Sequence, residues 1–150
     1  MNTILDTCKR IFLNKLNYLS ELHIEVSEGF IENETQSIQI GFRKIEDLKR
    51  IKTNNKSRIF KIIFNLDGII NFQVIDESYA CLNQNELKDS KGFIQIIKNS
   101  KYLEYIDSNH GFYREVLDEK AKHYRIWTED DIIDVISLKD PKISEIEKSV

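Results

Sequence analysis

The sequence predicts a single α+β domain spanning residues 1–150. We expect a mainly antiparallel sheet of about seven strands, with an N-terminal helix and short helices packed on one face. Several short segments alternate apolar and polar residues between turn-forming residues, as strands do. Other segments repeat apolar residues every three or four positions, as helices do. Strands do not alternate with long helical crossovers and no linker interrupts the chain, which favours an antiparallel sheet.

The N-terminal helix is predicted over residues 4–19. Its apolar stripe at helical spacing consists of Ile4, Leu5, Cys8, Ile11, Phe12, Leu16 and Leu19. Alternating residues then predict two antiparallel strands on either side of a turn-like segment, 27–35. These residues are Leu22, Ile24 and Val26 in one strand and Ile38, Ile40 and Phe42 in the other. Ile45, Leu48 and Ile51 return to helical spacing and predict a second helix.

A hairpin is predicted around Asp67-Gly68, where two β-rich runs flank a strong turn signal. A three-residue loop, 66–68, would place the apolar residues of both runs on one face. The expected cross-strand pairs are Phe64 with Ile70, Ile62 with Phe72 and Phe60 with Val74. In this arrangement Gly68 adopts positive φ.

The C-terminal half predicts a third strand of that sheet at 93–98, followed by a short helix. Ser100 has the character of an N-cap, and Asn109 and Gly111 close the helix. A second short helix is predicted over 113–121. The segments HYRIWT (123–128) and DIIDVIS (131–137) then form a closing strand pair, and the tail beyond Pro141 is expected to fray.

Composition indicates a globular, non-secreted chain. Apolar residues make up 41% and charged residues 31%, and no apolar run approaches the ~20 residues of a membrane span. The N-terminus does not resemble a secretory signal. Cys8 and Cys81 lack the spacing of a zinc site or a disulfide framework, and two reduced, largely buried thiols are expected.

Charge is unevenly distributed around a net value of −3. Segment 43–61 carries 8 basic and 2 acidic residues, whereas segment 104–134 carries 4 basic and 9 acidic residues. Such asymmetry concerns partners and not the fold. The basic segment is predicted to be a solvated helix face, with phosphate contact as an alternative.

The segment HYRIWTEDDIIDVIS (123–137) concentrates acidic residues. The side chains of consecutive Glu129, Asp130 and Asp131 tend to point in different directions, which disfavours a metal site. The remaining interpretations are a solvated turn or a surface that binds a cationic protein. Asp134 shares a strand face with apolar residues, so structural pairing with Arg125 or His123 is predicted. Trp127 is the best candidate for an exposed anchor.

Familiar catalytic motifs are absent from the sequence. It contains no P-loop, GxGxxG, GxSxG, HExxH or CxxC, so no enzyme, cofactor or metal is predicted. His110 and His123 could serve as the acid and base of a small ribonuclease. Ordinary structural histidines are the simpler expectation.

Three segments carry a family resemblance: FQVIDESYA (72–80), NSKYLEYI (99–106) and HYRIWTEDDIIDVIS (123–137), followed by Pro141. Their order resembles the NESY-like, S-x-YLDY-like and HY…IDVIS-like segments of small bacterial proteins. Some of these resemble immunity proteins of polymorphic or contact-dependent growth-inhibition toxin systems. The resemblance covers about residues 59–143. The family's turn often contains Asn-His where this chain has Asp130-Asp131, so no histidine role carries over.

This resemblance implies a cytoplasmic antidote that binds the C-terminal domain of one cognate toxin, possibly a nuclease. We expect no membrane partner and no cofactor. The acidic contact face would comprise Glu104, Asp107, Asp118, Glu119, Glu129, Asp130 and Asp131, with Trp127 at its centre. The alternatives are a nucleic-acid-binding module or small ribonuclease that uses segment 43–61, and a housekeeping or regulatory interaction domain.

Overall fold

The computed structural model describes residues 1–82, 85–117 and 120–147. Most of these residues form antiparallel strands: β1 (Ile11–Tyr18), β2 (Glu21–Glu28), β3 (Phe30–Ile40), β4 (Arg43–Lys52), β5 (Ile59–Asn65), β6 (Ile69–Asp76), β7 (Ile94–Ile97), β8 (Lys122–Trp127), β9 (Asp131–Ser137) and β10 (Lys142–Ile146). The helices are α1 (Lys101–His110), α2 (Phe112–Leu117) and two 3-10 helices, Ile4–Thr7 and Glu77–Tyr79. No helix among the described residues has the length and apolar content to span a membrane.

The strands form two four-stranded sheets and one separate ribbon. The first sheet has the order β1-β2-β5-β10 and the second has the order β6-β9-β8-β7. All pairings in both sheets are antiparallel, as predicted. Strands β3 and β4 pair only with each other within the described part of the chain. We call this two-stranded hairpin the ribbon arm.

The main core lies where apolar side chains of the two sheets meet. β2 and β5 contribute alternate buried residues from the first sheet, and β7, β8 and β9 contribute those of the second. Phe64 of β5 packs edge-on against Tyr124 of β8, with ring centroids 5.4 Å apart. This alternation of buried and exposed positions is what a sheet with one covered face requires.

A third layer covers the other face of the second sheet. Ile106 of α1 packs with Ala121 and Ile136, and partly buried side chains such as Tyr102 and Tyr113 surround them. Helical segments therefore do cover one face of the second sheet, but the N-terminal helix predicted to belong to this layer does not form. Helices are nevertheless few, and the ten strands of the described residues exceed the predicted seven.

The predicted helix at 4–19 is wrong: a single 3-10 turn is followed by β1. Leu13 and Leu16 both pack against the core although three positions separate them. The reason is a β-bulge, because Leu13 pairs with Val26 and Lys15 with Glu25, leaving Asn14 as an extra residue. This extra residue lengthens a two-residue repeat to three, so the strand imitates helical spacing.

The helix predicted from Ile45, Leu48 and Ile51 is also wrong, and for the same reason. These residues belong to β4, where Ile45 pairs with Ile38 and Leu48 with Gln36. β4 thus uses one more residue than β3 at this point. Asp47 has φ of 59° there, a left-handed conformation typical of some bulges.

The hairpin around Asp67-Gly68 exists as a turn but not as a paired sheet. The Gly68 amide donates to the Asn65 carbonyl at 3.0 Å, yet β5 pairs with β2 and β10 while β6 pairs with β9. The chain therefore crosses between sheets, and the predicted pairs of Phe60, Ile62 and Phe64 with β6 do not form. Burying both β-rich runs against different neighbours covers more apolar surface than pairing them together.

Gly68 does not adopt the predicted positive φ, which among glycines occurs at Gly41. Its role is close approach. A Cβ at Gly68 would lie 3.1 Å from Lys139 Cβ and from Ser137 Oγ, and the Gly68 carbonyl accepts a 2.7 Å hydrogen bond from Leu138.

The C-terminal predictions are mostly confirmed. The Ser100 side chain caps α1 by accepting from the Leu103 amide at 2.9 Å, and β8 and β9 form the expected strand pair. α2 is described over Phe112–Leu117, and residues 120 and 121 of the predicted helix are not helical. The tail does not fray at Pro141: β10 pairs with β5, and Ile143 packs against the core.

Candidate functional site

The turn between β8 and β9 presents carboxylates at one end of the second sheet. The Thr128 hydroxyl accepts from the Asp131 amide at 3.0 Å and the Thr128 amide donates to the Asp131 carbonyl at 2.9 Å. These bonds tie the base of the turn and leave Glu129 and Asp130 at its tip. The Asp130 carbonyl also accepts a 2.9 Å hydrogen bond from the Glu77 amide. This bond joins the turn to the end of β6.

Two further carboxylates therefore join the three predicted ones. Asp76 faces Asp131 across the β6–β9 pairing, and exposed Glu77 follows it directly. We call Asp76, Glu77, Glu129, Asp130 and Asp131 the acidic turn. The sequence prediction missed Asp76 and Glu77 because β6 and β9 are far apart in the chain, and no local signal places these residues beside Asp130.

The acidic turn keeps negative charge that is largely uncompensated. Burial raises the pKa of Asp131, and repulsion from Asp130 and Asp76 raises it further. Glu129 is bound by Arg10, whose Nη1 lies 3.2 Å from its Oε1. Among the described residues, no three His, Cys, Asp or Glu side chains gather in a way that could hold a metal ion. The arrangement suits a cationic macromolecular surface better than a single ion.

Glu104 and Asp107, two other predicted contact residues, lie toward the opposite end of the second sheet from the acidic turn. Glu104 and Asp107 lie on α1, which packs near Ile136, and Ile136 pairs with His123 at the far end of β8 from Trp127. Strand rise puts these two ends roughly 13 Å apart. Glu104 and Asp107 thus lie apart from the acidic turn, and their part in a contact face stays a prediction.

Asp107 is also committed to local contacts. Its carboxylate accepts hydrogen bonds from Tyr113 and from Arg114. Glu104 is exposed. Asp118 and Glu119 lie outside the described residues.

Trp127 lies beside the acidic turn but is half-buried, and so it is not the exposed anchor that was predicted. Its indole Nε1 donates to Gln95 Oε1 at 3.0 Å, and Lys88 Nζ lies 4.9 Å from its ring centroid. Trp127 and Phe93 line an open groove of about 810 Å³ together with residues near the N-terminus. The same two aromatic side chains line a second groove that reaches Glu77 and Glu129. An apolar rim thus adjoins the acidic turn.

Asp134 forms the predicted pairing and anchors a buried network. Its Oδ1 accepts from Arg125 Nε at 2.7 Å and from His123 Nε2 at 2.8 Å, and its Oδ2 accepts from Gln73 at 3.0 Å. Arg125 also pairs with Glu86. Burial alone would raise the pKa of Asp134, but the bonds from His123 and Arg125 outweigh it and lower the pKa to about 2.

His123 completes a serine–histidine–aspartate chain, because its Nδ1 lies 2.6 Å from Ser100 Oγ. This order resembles the nucleophile, base and acid of a serine hydrolase. Ser100, His123 and Asp134 are only 4%, 0% and 1% exposed, however, so a substrate has no access to them. Ser100 Oγ is also occupied as the cap of α1. The hydrogen-bonded series of Ser100, His123 and Asp134 therefore joins α1 to the second sheet.

The proposed ribonuclease pair is not supported by this geometry. His110 is exposed in the last turn of α1, whereas His123 is enclosed in the network. A base and an acid that act on one phosphate must both reach it.

The basic segment 43–61 is divided between two structures and does not form the predicted helix face. Its first half is β4 of the ribbon arm, where Lys44 pairs with Glu46 and Lys52 with Glu32. Its second half enters the first sheet, where Arg58 binds Glu28 at 2.9 Å.

The two cysteines differ from each other. Cys8 is buried as predicted, and burial, followed by the charge of Glu28, raises its thiol pKa. Cys81 is exposed, contrary to prediction.

Comparison of the chain with known proteins finds no matching family model, no matching curated protein and no matching solved structure.

Proposed function

We propose that this protein is a cytoplasmic immunity protein that neutralises a cognate toxin domain by stoichiometric binding. The contact surface comprises the acidic turn and the adjoining groove lined by Trp127 and Phe93. The proposal rests on the sequence resemblance and on one structural observation: five carboxylates from two chain segments meet beside an aromatic groove. Among the described residues, only Glu129 of these five has an ion-pair partner.

Charge and apolar surface would have separate roles in this interface. Uncompensated carboxylates accelerate encounter with a basic partner, and the rate depends on ionic strength. Burial of aromatic side chains at the centre of an interface slows dissociation. The acidic turn supplies the first property, and the Trp127–Phe93 groove supplies the second.

The hydrogen bonds and ion pairs of the buried titratable side chains favour binding over catalysis as the function. The buried carboxylates, Asp134 and Glu86, hold Arg125, and His123 connects Asp134 to the cap of α1. These groups satisfy one another and stabilise the fold. The exposed carboxylates are at the surface, where they can meet a partner.

The test uses the variable C-terminal domain of a large secreted protein, if the adjacent upstream gene encodes one. Asp130→Lys combined with Glu77→Lys should lower the association rate at low salt about tenfold and reduce its salt dependence. Stopped-flow or surface-based kinetics at several salt concentrations measure both quantities. Coexpression should also restore growth in cells that produce the toxin domain.

A matched control is Glu104→Lys combined with Glu115→Lys, which makes the same change in net charge on α1 and α2. This control should leave the association rate within about twofold. Equal slowing by the two double variants would show that net charge acts without a local site. An unchanged rate for the acidic-turn variant would remove this surface from the proposal.

Nucleic-acid binding is the second candidate function, and the basic side chains of β4 favour it. Arg43, Lys44, Lys49 and Arg50 are exposed along one strand of the ribbon arm. Phosphate contacts there would give affinity that falls steeply with salt. A titration with labelled single- and double-stranded RNA and DNA tests this, and absence of binding at low salt rejects it.

A further inference from the structure

The groove that connects Trp127 to the acidic turn is lined by two aromatic rings and two carboxylates. Phe93 and Trp127 form its aromatic wall, and Glu77 and Glu129 supply the carboxylates. Its volume is about 380 Å³, near the lower end of the roughly 300–1,000 Å³ of pockets that hold small ligands. Ring faces and carboxylates both attract positive charge, so the lining suits one organic cation.

The aromatic wall is in place before any ligand binds. The Trp127 amide donates to the Phe93 carbonyl at 2.9 Å, and the Phe93 amide donates to Asp6 Oδ1 at 3.0 Å. The hydrogen bond from the Trp127 indole to Gln95 fixes the orientation of the larger ring. A preformed wall reduces the ordering that binding requires.

Glu77 is the carboxylate of the groove that is available to a ligand. Its side chain is exposed and has no ion-pair partner in the described part of the chain. The 2.9 Å hydrogen bond from its amide to the Asp130 carbonyl fixes its backbone beside the turn that carries Glu129. One cation in the groove can therefore reach both Glu77 and Glu129.

Two cations of the chain itself already use this lining. Arg10 Nη1 lies 3.2 Å from Glu129 Oε1, and Lys88 Nζ lies 4.9 Å from the Trp127 ring centroid. The Arg10 side chain is 48% exposed, and an exposed ion pair of this kind contributes little stability. A cationic ligand that binds more groups of the groove can therefore displace Arg10 from Glu129.

An arginine side chain fits this lining better than a lysine side chain does. The guanidinium group is planar, stacks on aromatic rings and can donate two parallel hydrogen bonds to one carboxylate. The lysine ammonium is a compact and strongly hydrated charge, which gains less from aromatic walls. The apolar stem of arginine would also cover ring surface of Phe93 and Trp127.

We propose that this groove is a binding site for one arginine side chain of the toxin domain. The guanidinium group bonds Glu77 and Glu129 and stacks on the aromatic wall, and Arg10 leaves Glu129 when the ligand enters. The identity of the partner rests on the proposed function. The preference for arginine rests on the lining of the groove alone.

The test is a titration of the full chain with two capped tripeptides, glycyl-arginyl-glycine and glycyl-lysyl-glycine. Trp127 is the single tryptophan of the chain, so its fluorescence reports on this groove without a label. At low salt the arginine peptide should change the fluorescence saturably, and the lysine peptide should bind at least about threefold more weakly. Equal affinities would show that charge alone acts, and would overturn the proposal.

Two substitutions with matched controls locate the binding. Glu77→Gln should weaken binding of the arginine peptide at least about threefold, whereas Glu115→Gln, at an exposed position of α2, should not. Arg10→Gln should strengthen binding about twofold by freeing Glu129, whereas Lys15→Gln, an equal change of charge on β1, should not. All four substituted side chains are exposed, so the variants should fold, and circular dichroism checks this.

Failure of this inference can be separated from failure of the proposed function. A fluorescence that does not change saturably with the arginine peptide, or a response unaffected by Glu77→Gln or by Arg10→Gln, would overturn the inference even in a protein that protects cells from the toxin domain. A saturable response that depends on Glu77, in a protein that gives no protection, would support the arginine site and reject the proposed function.

Discussion

At the scale of single residues, the ionic network around Asp134 is the main feature that organises the second sheet. Asp134 and Arg125 are buried and form an ion pair with each other. His123 and Gln73 donate further hydrogen bonds to Asp134, and Glu86 accepts one from Arg125. A buried charge of this kind is stable only while its partners remain. The network therefore gives directional bonds to a sheet face that apolar packing alone would leave less specific.

Asp134→Asn should destabilise the protein by about 3 kcal/mol, because it leaves the Arg125 guanidinium partly uncompensated in the interior. Urea unfolding followed by circular dichroism measures the free energy of unfolding. Asp67→Asn, which removes an exposed pair with Lys139, is the matched control and should have little effect. If Asp134→Asn lowered the free energy of unfolding by less than Asp67→Asn, the network would not stabilise the fold.

The stability that Asp134 contributes should disappear in acid. Its pKa is about 2 in the folded protein against 3.8 as the ordinary value. A lowered pKa means that the contribution, about 2 kcal/mol, is complete above about pH 4 and is lost as the pH falls through 2. Unfolding free energies between pH 5 and 2 should converge for wild-type and Asp134→Asn proteins. Parallel curves would contradict this assignment.

At the scale of elements, a β-bulge contributes to the helical spacing in each of the two segments that were wrongly predicted to be helices. Asn14 in β1 and Asp47 in β4 each insert one residue into a strand, so core-facing or same-face residues recur after three positions. A repeat of three is also a helical signal. Nothing within either segment distinguishes a bulged strand from a helix, because a bulge is defined only by how the strand pairs with its partner strand.

The left-handed conformation of Asp47 leads to a prediction for the ribbon arm. Asp47→Gly should stabilise the arm by about 0.5–1 kcal/mol, because glycine adopts positive φ without steric cost. Amide hydrogen exchange of β3 and β4 measures the local effect. Lys49→Gly, at a position with ordinary φ, should instead accelerate exchange. Faster exchange in Asp47→Gly would contradict the assigned conformation.

At the scale of the whole molecule, the packing of two sheets decides which strands are neighbours. β5 lies at the centre of the first sheet although its sequence predicted a hairpin with β6. The change of sheet at Gly68 allows Phe60, Ile62 and Phe64 to face the second sheet. It also brings Asp76 and Glu77 to the acidic turn, so the candidate site is a product of this crossing.

Phe64→Ala should cost about 3–5 kcal/mol, because Phe64 is buried between the sheets against Tyr124. Phe112→Ala changes the same side chain at a 71% exposed position of α2 and should cost no more than about 0.5 kcal/mol. Chemical denaturation of both variants provides the comparison. Similar losses in the two would contradict the proposed packing of the sheets.

The sequence by itself determined the features that depend on neighbouring residues. Antiparallel strands, the Ser100 cap, the β8–β9 strand pair and the pairing of Asp134 with Arg125 and His123 all involve short chain separations. Only the tertiary structure decided the bulges, the separation of β5 from β6, the pairing of β10 and the assembly of the acidic turn. Each of these depends on contacts between distant segments, whose energies are not encoded in any local pattern.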